Sequence, residues 1–272
     1  MASFPVRNKV ALITGGVEGI GLAIAKELLR NGARGVTLAD LNSNLGKTAM
    51  QELESSFGAN KAIFVETDVR DIDKFEAAFI RTIEVFEQID ILVNNAGNLD
   101  GNQRNNEIDI NLKGTINGML VGFEKYLQTN RSGNHAVIMN LCSTTGLKAK
   151  GSIPIYNSTK FAVHGLTIAW GTKAHFERSK VKVVALCPGV TFTNLLKKVS
   201  RRNLEASYEE HMSKYEASGP FQTLEQCAEG ALQVIELAPN GTVWVVERGE
   251  KPYQFVLPDR FKFTEKKYIT NQ

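Results

Sequence analysis

Tyr156 and Lys160 are the residues of this sequence whose types and spacing best suit proton transfer. They lie four positions apart in a predicted helix, so their side chains leave it on one face. A tyrosine, with a pKa of about 10, is a weak base at neutral pH, but a neighbouring ammonium group favours the phenolate and lowers that pKa. Ser143, just beyond a predicted strand, could hydrogen-bond the same substrate oxygen. The set predicts acid–base chemistry at a hydroxyl group, although a tyrosine–lysine pair alone is common on helix surfaces.

A glycine-rich turn joins the first predicted strand to the first predicted helix. Gly15, Gly19 and Gly21 lie in the stretch Thr14–Gly21, which continues directly from the apolar run Val10–Thr14. Glycines here let the backbone turn tightly and approach a pyrophosphate, and the amides of the helix N-terminus then face the phosphate charge. Because glycine turns also serve purely structural ends, the turn indicates dinucleotide binding only together with its context.

Asp40, at the end of the second predicted strand, indicates which dinucleotide the turn favours. It follows Gly21 by nineteen residues, where a carboxylate can accept hydrogen bonds from an adenosine ribose. A 2′-phosphate would be repelled by Asp40 and by Glu18 in the turn, and no arginine occupies the three positions after Asp40 to compensate. NAD is therefore predicted over NADP, with a plain helix-cap or turn role for Asp40 as the alternative.

Short apolar runs alternate with helical patterns along most of the chain. The predicted strands are Val10–Thr14, Gly35–Asp40, Ala62–Glu66, Ile91–Val93, Ala136–Leu141, Val181–Cys187 and Thr242–Val246. Several of them are too apolar to face water on either side, and helices are predicted between them, including Ile72–Phe86 and a long one from about Pro154 to Phe176. The alternation predicts a doubly wound parallel α/β sheet of the Rossmann type, with about seven strands. No linker is apparent, so residues 1–272 are interpreted as a single domain.

The segment 191–220 interrupts this alternation. It follows the sixth predicted strand, is rich in Lys, Arg and Glu, and shows only weak apolar periodicity. Because ligands bind at the carboxyl edge of an open α/β sheet, a helical excursion there is predicted to be a substrate lid; a solvated insertion without a special role is the alternative. Four basic residues in it could attract an anionic substrate or a membrane surface, but a solvated helix face is favoured. They are Lys197, Lys198, Arg201 and Arg202.

Composition argues against several classes of protein. The net charge is +3 and the basic residues are scattered, so nucleic-acid binding is not predicted. The N-terminus does not resemble a secretory signal and no apolar stretch is long enough to span a bilayer, so no transmembrane segment is expected. Three widely spaced cysteines, Cys142, Cys187 and Cys227, fit reduced thiols and a cytoplasmic location. The four histidines lack metal-ligand spacing, so no metal is predicted.

Several motifs in a fixed order give the chain a resemblance to a known family. The glycine turn is followed by Asn94–Gly97 after the fourth predicted strand and by Pro188–Gly189 after the sixth. Between them lie Asn111, in a helical pattern, and the set formed by Ser143 and the tyrosine–lysine pair. In order and spacing these motifs resemble the short-chain dehydrogenase/reductase family over nearly the whole chain. The resemblance implies a dehydrogenase that transfers a hydride with a bound nicotinamide.

The resemblance implies a role for each member of the catalytic set. Tyr156 is expected to be the acid and base, Lys160 to bind the nicotinamide ribose and tune the tyrosine, and Ser143 to steady the substrate oxygen. Asn111 is expected to hold a water that links the lysine to solvent. It interrupts a predicted apolar helix stripe, where asparagine is a mediocre helix former. A backbone bend would explain Asn111, and so would a plainly exposed asparagine.

The resemblance also implies which residues contact the dinucleotide and the substrate. Asp68 and Val69 match the adenine contact after the third predicted strand, and Thr191 and Thr193 match residues near the nicotinamide carboxamide. Ser143, Ile153 and Tyr156 are expected to contact the substrate. The residues expected to bind NAD are Gly15, Gly19, Ile20, Gly21, Asp40, Leu41, Asp68, Val69, Asn95, Gly97, Tyr156, Lys160, Pro188, Gly189, Thr191 and Thr193.

Within the family, the chain resembles most the insect alcohol dehydrogenases and photoreceptor dehydrogenases, and next the 15-hydroxyprostaglandin dehydrogenases. Its segments 226–228 and 240–244 resemble the insect branch. The prostaglandin group carries a glutamine three residues before the catalytic tyrosine, where this chain has Ile153. Together with Leu147, Ile155 and Phe192, this isoleucine is expected to surround the substrate with apolar atoms. A lipophilic primary or secondary alcohol, such as a retinoid or isoprenoid, is therefore favoured over a prostaglandin.

Other interpretations of the function stay open at this point. The same residues could reduce a ketone, although an NAD preference favours oxidation. A protein of the same fold could also bind a dinucleotide without catalysis, in storage or regulation; the complete set of Asn111, Ser143, Tyr156 and Lys160 argues against this. The resemblance further implies a homodimer or homotetramer.

Overall fold

The computed structural model describes residues 3–197 and 221–257. Its strands are β1 (Val10–Thr14), β2 (Gly35–Asp40), β3 (Ala62–Glu66), β4 (Ile91–Asn94), β5 (Ala136–Leu141), β6 (Val181–Pro188), β7 (Thr242–Val246) and β8 (Tyr253–Phe255). In the described part of the chain they form one eight-stranded sheet in the order β3-β2-β1-β4-β5-β6-β7-β8. The predicted parallel sheet is confirmed. Strands β4 and β6 are each one residue longer than predicted, and the antiparallel β8 is additional.

The order of the strands reverses beside β1. From β1 the chain builds outward through β2 and β3, then returns with β4 to the other side of β1 and continues through β5, β6 and β7. Open α/β sheets bind their ligands at such a reversal, outside the carboxyl ends of the strands. The ends of β1 and β4 are therefore the expected place for a bound molecule.

Helices cover both faces of the sheet. They are α1 (Gly19–Arg30), α2 (Ser43–Phe57), α3 (Ile72–Phe86), α4 (Arg104–Ile108), α5 (Gly114–Gly118), α6 (Pro154–Trp170), α7 (Lys173–Ser179), α8 (Asn194–Lys197) and α9 (Leu224–Leu237). Leu12 and Ile13, neighbours in β1, are both fully buried although their side chains point to opposite faces. Ile13 packs in one cluster with Ile24 of α1 and Val234 of α9, whereas Leu12 packs in another with Phe79 of α3. Burial on both faces explains why the strand is continuously apolar.

The long helix predicted from about Pro154 to Phe176 is divided in two. Helix α6 ends at Trp170, and α7 begins at Lys173. The break lies where the backbones of Gly171 and Gly241 touch: a Cβ atom added at Gly171 would stand 2.2 Å from the Cα of Gly241. The prediction was wrong here because the contact comes from a segment seventy residues further along the chain.

The backbone between β4 and β5 contains two π-helical stretches. Asp109–Lys113 separates α4 from α5, and Met119–Tyr126 follows α5. In the first, the N–H of Gly114 donates to the carbonyl oxygen of Asp109, five residues back. Such wide turns occur mostly at functional sites, and Asn111 lies in the middle of this one.

Of the predicted lid, residues 191–220, only 191–197 are described. Helix α8 lies in this part, and the remainder, with Lys198, Arg201 and Arg202, lies outside the described residues. The start of the lid is joined to the segment that follows it, since Gln222 Nε2 donates both to Thr191 Oγ1 at 3.0 Å and to the carbonyl oxygen of Val246 at 2.8 Å. Across the ranges 3–197 and 221–257, no helix combines the length and the apolar character that a membrane crossing requires.

Candidate active site

A cleft of about 660 Å³ opens at the carboxyl edge of the sheet. This volume lies within the range of about 300–1,000 Å³ that is usual for ligand pockets. Of the residues expected to bind NAD, only Gly21 is not part of its wall; Ser143, Ile153 and Tyr156, expected to contact the substrate, all line it, and the catalytic candidate Asn111 lies behind the wall. The predicted residues that line the cleft are Gly15, Gly19, Ile20, Asp40, Leu41, Asp68, Val69, Asn95, Gly97, Ser143, Ile153, Tyr156, Lys160, Pro188, Gly189, Thr191 and Thr193.

The glycine turn leaves room for a ligand on one side and none on the other. Gly15 and Gly19 have φ angles of 60° and 56°, which favour glycine. Among residues 3–197 and 221–257, a Cβ added at Gly19 would meet only Thr193, at 3.7 Å, so this side is open to the cleft. A Cβ added at Gly21 would stand 2.3 Å from the carbonyl oxygen of Gly15. Gly21 therefore allows α1 to pack closely against the turn.

Asn95 holds the turn in place from the end of β4. Its Nδ2 donates to the carbonyl oxygens of Thr14, at 2.8 Å, and Gly15, at 2.9 Å. The Thr14 hydroxyl oxygen accepts in return from the backbone N–H groups of Asn95 and Ala96, both at 3.0 Å. The residue expected to lie against the cofactor is thus also a brace between the two strands at the reversal point.

Asp40 faces the cleft from the end of β2. Burial, as the largest effect, raises the pKa of its carboxyl group, and the nearby Glu18 acts in the same direction. Its Oδ1 accepts from the backbone N–H of Asn42 at 3.0 Å. Asn42, not Asp40, is the N-cap of α2, since its Oδ1 accepts from Leu45 N at 3.0 Å. The helix-cap interpretation of Asp40 is therefore wrong. Its hydrogen bond from Asn42 is a turn contact, and this contact is compatible with the position of Asp40 in the cleft.

Asp68 is paired with Arg70, a residue of the cleft wall that the sequence analysis missed. Arg70 Nε donates to Asp68 Oδ1 at 2.9 Å, and Nη2 donates to Oδ2 at 2.6 Å. These hydrogen bonds hold the pKa of Asp68 below its usual range. Arg70 also donates to Asn106 Oδ1 at 2.6 Å, which ties this corner of the cleft to α4. Because Arg70 is paired with Asp68, it adds little net positive charge to the cleft wall.

Ser143 follows Cys142 and lies two residues after the end of β5. It caps the short 3-10 turn Thr144–Gly146. Its hydroxyl oxygen accepts from both the backbone N–H of Thr145, at 3.1 Å, and the Thr145 hydroxyl, at 3.0 Å. Because both donors point at the oxygen of Ser143, the hydroxyl proton of Ser143 can be donated to another acceptor. Its side-chain hydrogen bond to Tyr156 lowers the pKa of that tyrosine.

The net pKa of Tyr156 nevertheless lies above its usual value. Burial has the largest effect, and Cys142 and Glu107 raise the pKa further. Lys160 Nζ lies 5.5 Å from the centre of the tyrosine ring and donates to the carbonyl oxygen of Leu141 at 2.9 Å. The expected lowering of the tyrosine pKa by the ammonium is therefore not seen: burial raises the pKa of Tyr156, and it also lowers the pKa of Lys160 itself.

Asn111 is fully buried, so the interpretation as a plainly exposed asparagine is wrong. The backbone bend expected around it is present as the π-helical turn. Its side chain bonds to the backbone of Asn98, and its Nδ2 also donates to Thr159 Oγ1 at 3.2 Å. Its carbonyl oxygen accepts from the Thr115 hydroxyl at 2.8 Å.

Apolar side chains surround Tyr156 on its outer side. Leu99, Ile153 and Leu195 pack with the tyrosine in one cluster, and all three line the cleft. Phe192 is 60% exposed and pairs with Phe221 at 4.7 Å. Two other residues expected near the substrate are elsewhere. Leu147 packs with Cys142 and Val163 beneath the site, and Ile155 is not part of the cleft wall.

A family model described as short chain dehydrogenase matches residues 9–204 of this sequence. The chain belongs to the short-chain dehydrogenase family. This match confirms the family predicted from the motifs, and it extends from the residue before β1 into the insertion after β6.

Relatives within the family match most of the chain. The 15-hydroxyprostaglandin dehydrogenase [NAD(+)] of Bos taurus is 34% identical over 245 residues, which cover 89% of this chain and 87% of the relative. The protein of the same name from Mus musculus is 32% identical over 244 residues, covering 88% and 89%. A crystal structure of a short-chain dehydrogenase/reductase from Burkholderia phymatum in complex with NAD has a TM-score of 0.75 at 25% identity. It covers 85% of this chain and 87% of that one.

Some residues of this dehydrogenase site carried no clear signal in the sequence. Leu99 is a single apolar residue outside any periodic pattern, and Leu195 belongs only to the weak apolar periodicity of the segment 191–220. Lys150 also lines the cleft, and burial lowers its pKa to about 8. Only Arg70 had a signal, because an Asp-x-Arg triplet one residue after a predicted strand indicates a local ion pair.

Proposed function

We propose that the chain is an NAD-dependent dehydrogenase that transfers a hydride between NAD and a lipophilic primary or secondary alcohol. The observation that carries the proposal is the joint placement of Ser143, Tyr156 and Lys160 in one cleft with the glycine turn and Asp40. The relatives named for NAD(+) and the neighbour solved with NAD support the cofactor. When bound, NAD supplies the hydride acceptor, and the protein supplies orientation and proton handling.

The residues present fit a dinucleotide along the cleft. Gly15 and Gly19 keep the turn free of side chains at the N-terminus of α1, where backbone amides favour phosphate groups. Asp40 is placed to accept from ribose hydroxyls, and with Glu18 it opposes a 2′-phosphate by like charge. Lys160 Nζ stands 3.8 Å from where a Gly97 Cβ would be, so this glycine leaves the ammonium group open to a second ribose.

Ser143 and Tyr156 would handle the proton of the alcohol. The Ser143 hydroxyl, fixed by Thr145, can donate to the substrate oxygen or to Tyr156 Oη. In its ionised form, Tyr156 Oη accepts the proton as the alcohol is oxidised, and the same atom returns it when a ketone is reduced. Lys160 beside the ring stabilises the ionised form.

The apolar wall supports a lipophilic substrate. Leu99, Ile153 and Leu195 offer the reacting alcohol a surface without hydrogen-bonding groups. Ile153 replaces a glutamine of the prostaglandin group, which favours retinoid- or isoprenoid-like alcohols. The names of the relatives make a 15-hydroxyprostaglandin the necessary comparison substrate.

We further expect this dehydrogenase in the cytoplasm, as a homodimer or homotetramer. Its three cysteines are all buried and free, as expected for a protein in a reducing compartment. The oligomeric state follows from the family resemblance. A non-catalytic dinucleotide-binding role is less consistent with a cleft that brings together three of the four catalytic candidates, Ser143, Tyr156 and Lys160, with Asn111 behind its wall.

The deciding experiment measures reduction of NAD by ultraviolet absorbance across a panel of retinoid, isoprenoid and simple alcohols, with a 15-hydroxyprostaglandin included. Tyr156→Phe should abolish turnover while NAD binding, followed by calorimetry, stays close to that of the wild type. Tyr126→Phe is the matched control, because its hydroxyl binds Glu76 at 2.8 Å away from the cleft. Full activity in Tyr156→Phe would contradict the assignment of the acid and base.

A further inference from the structure

Thr145 is hydrogen-bonded to Ser143 twice. It lies in the 3-10 turn Thr144–Gly146, two residues after the serine, and is 6% exposed. Its backbone N–H donates to Ser143 Oγ at 3.1 Å, and its hydroxyl donates to the same atom at 3.0 Å. Capping of the turn accounts for the first of these bonds but not for the second. The side chain of Thr145 therefore adds a contact that the turn itself does not require.

The two bonds fill the acceptor positions of the serine oxygen. A hydroxyl group has one proton and two lone pairs. Both lone pairs of Ser143 Oγ face donors on Thr145, so the proton is the position that serves a further partner. Tyr156 is such a partner, because its side chain is hydrogen-bonded to Ser143 and lines the same cleft. Ser143 is thus held as a donor towards the reacting groups.

The chemistry of the tyrosine fixes the direction of the bond between the two hydroxyls. An ionised tyrosine oxygen has no proton and can only accept a hydrogen bond. Ser143 must therefore donate to Tyr156, and the hydroxyl of Thr145 must donate to Ser143. The protons of the three side chains then point the same way, and hydrogen bonds in such a chain strengthen one another.

Without the Thr145 hydroxyl, the oxygen of Ser143 would have an acceptor position open to the cleft, whose wall both residues share. Water or the hydroxyl of a bound alcohol could then donate to the serine. Oxidation requires the proton of the alcohol to reach Tyr156, so an alcohol that donates this proton to Ser143 is bound in the wrong orientation. The threonine hydroxyl occupies the position that would permit this binding mode.

The turn that carries Thr145 is packed closely against α6. A Cβ atom added at Gly146 would stand 2.6 Å from Cys142 Sγ and 2.7 Å from the carbonyl oxygen of Lys160. His164, in the same helix, has its Nδ1 atom 3.3 Å from the Gly146 carbonyl oxygen. A group whose supporting contacts are tightly packed keeps a defined geometry. The hydroxyl of Thr145 is thus held in a fixed position.

We propose that Thr145 is a positioning residue of the dehydrogenase centre, whose hydroxyl orients the Ser143 hydroxyl so that it donates to the substrate oxygen and to Tyr156. The inference rests on the proposed function. Thr145 acts through Ser143 and does not need to touch the substrate. A role in packing alone would be met equally well by valine, which has the same branched shape without the hydroxyl.

Thr145→Val removes the hydroxyl and keeps both the shape of the side chain and the backbone N–H. With NAD and the best alcohol of the panel, kcat/KM should fall by about threefold to tenfold, the effect of losing a hydrogen bond between neutral groups. Its rise with pH should begin at higher pH, because the bond from Ser143, which lowers the pKa of Tyr156, is then less populated. Thr145→Ser retains a hydroxyl and should restore most of the activity.

A double-mutant cycle tests whether Thr145 acts through Ser143. In a protein that already carries Ser143→Ala, the further change Thr145→Val should lower kcat/KM by less than about twofold, because the hydroxyl that Thr145 orients is gone. If the valine variant does not fold, Thr145→Ala takes its place in the cycle. The comparison measures a dependence between two side chains, which general damage to the turn would not produce.

Thr82→Val is the matched control for loss of a buried threonine hydroxyl. Thr82 lies in α3, is fully buried, and is not part of the cleft wall. Its hydroxyl binds Thr37 Oγ1 at 2.8 Å and the carbonyl oxygen of Ala78 at 2.7 Å. The change should lower the stability of the protein, measured by urea unfolding, and leave kcat/KM and its pH dependence as in the wild type.

The outcomes separate this inference from the proposed function. If Tyr156→Phe is inactive but Thr145→Val keeps wild-type activity, the role of Thr145 is wrong and the function stands. Equal losses from Thr145→Val in the presence and absence of Ser143 would also overturn the role, as would a loss in Thr145→Ser as large as that in Thr145→Val. Full activity of Tyr156→Phe would instead overturn the proposed function itself.

Discussion

The side chain of Asn111 pairs with the backbone of Asn98 in both directions. Its Oδ1 accepts from the Asn98 N–H at 2.7 Å, and its Nδ2 donates to the Asn98 carbonyl oxygen at 2.8 Å. An asparagine amide thereby substitutes for the backbone partner that a loop otherwise lacks. The pairing fixes the chain directly after Gly97, whose open side faces Lys160 Nζ. Asn111 therefore shapes the site from behind its wall.

Asn111→Ala should destabilise the protein as well as impair catalysis. The change leaves both the N–H and the carbonyl oxygen of Asn98 without their partners, and the loss of these bonds in a partly buried loop costs about 1–3 kcal/mol. Urea unfolding should show that decrease in the free energy of unfolding. Asn44→Ala, on the exposed surface of α2, should change it by less than about 0.5 kcal/mol. Equal stabilities of the two variants would contradict the bracing role.

Gly21→Ala should damage the dinucleotide turn without touching the ligand. The added methyl group would stand 2.3 Å from the Gly15 carbonyl oxygen and 2.6 Å from Asn95 Nδ2, so α1 or the turn must move. We expect a loss of about 1–3 kcal/mol in the free energy of unfolding, together with weaker NAD binding by calorimetry.

Gly165→Ala is the matched control within α6, where an added Cβ has no described atom within 4 Å. It should be neutral or stabilise the helix by up to about 1 kcal/mol. Unchanged NAD affinity in Gly21→Ala would show that the close packing is dispensable.

The sequence predicted what depends on local pattern. The apolar runs predicted the bounds of seven strands to within one residue. The motifs predicted that Gly19, Asp40 and Tyr156 contact one bound dinucleotide, and all three line the cleft. These features are recoverable because strand burial and glycine turns leave a signature in adjacent residues. The parallel, doubly wound character of the sheet followed from the alternation of strands with helices.

What the sequence did not predict depends on contacts between distant segments. The end of α6 is set by Gly241, and the state of Tyr156 is set by burial against several elements. Glu107 had the pattern of an ordinary helical glutamate, since only the folded chain buries it. Leu147, one of four apolar residues expected near the substrate, packs beneath the site, because sequence proximity to a catalytic residue does not fix which way a side chain points.

Asp40→Asn should weaken the preference for NAD over NADP. The change removes the negative charge that a 2′-phosphate would meet and weakens the hydrogen bonds to ribose hydroxyls, which are stronger to a carboxylate. The ratio of kcat/KM with NAD to that with NADP should fall by about tenfold, which corresponds to about 1.4 kcal/mol. Asp73→Asn, in the exposed first turn of α3, serves as the control and should leave the ratio unchanged. A ratio that stays constant in Asp40→Asn would place cofactor selection elsewhere.

Ser143→Ala should both slow oxidation and move its pH dependence to higher pH. Oxidation requires ionised Tyr156, and burial raises the pKa of this tyrosine, so kcat/KM for oxidation should rise as the pH increases from neutral into the alkaline range. The hydrogen bond from Ser143 lowers the same pKa; without it the rise must begin at higher pH. Loss of a hydrogen bond to a charged oxygen, about 1.5–3 kcal/mol, predicts a decrease in kcat/KM of about 10- to 100-fold at neutral pH.

Ser158→Ala provides the control for that measurement. Ser158 lies on the exposed side of α6, where its hydroxyl donates to the carbonyl oxygen of Pro154 at 2.9 Å, so its removal should leave rate and pH profile unchanged. The reductive direction gives an independent check of the sign, because it requires protonated Tyr156 and its rate should fall with rising pH. Since the serine bond favours the ionised form, the Ser143→Ala variant should retain its reductive activity to higher pH than the wild type does. A shift of the two directions towards opposite ends of the pH scale would mean that Ser143 does not act through Tyr156.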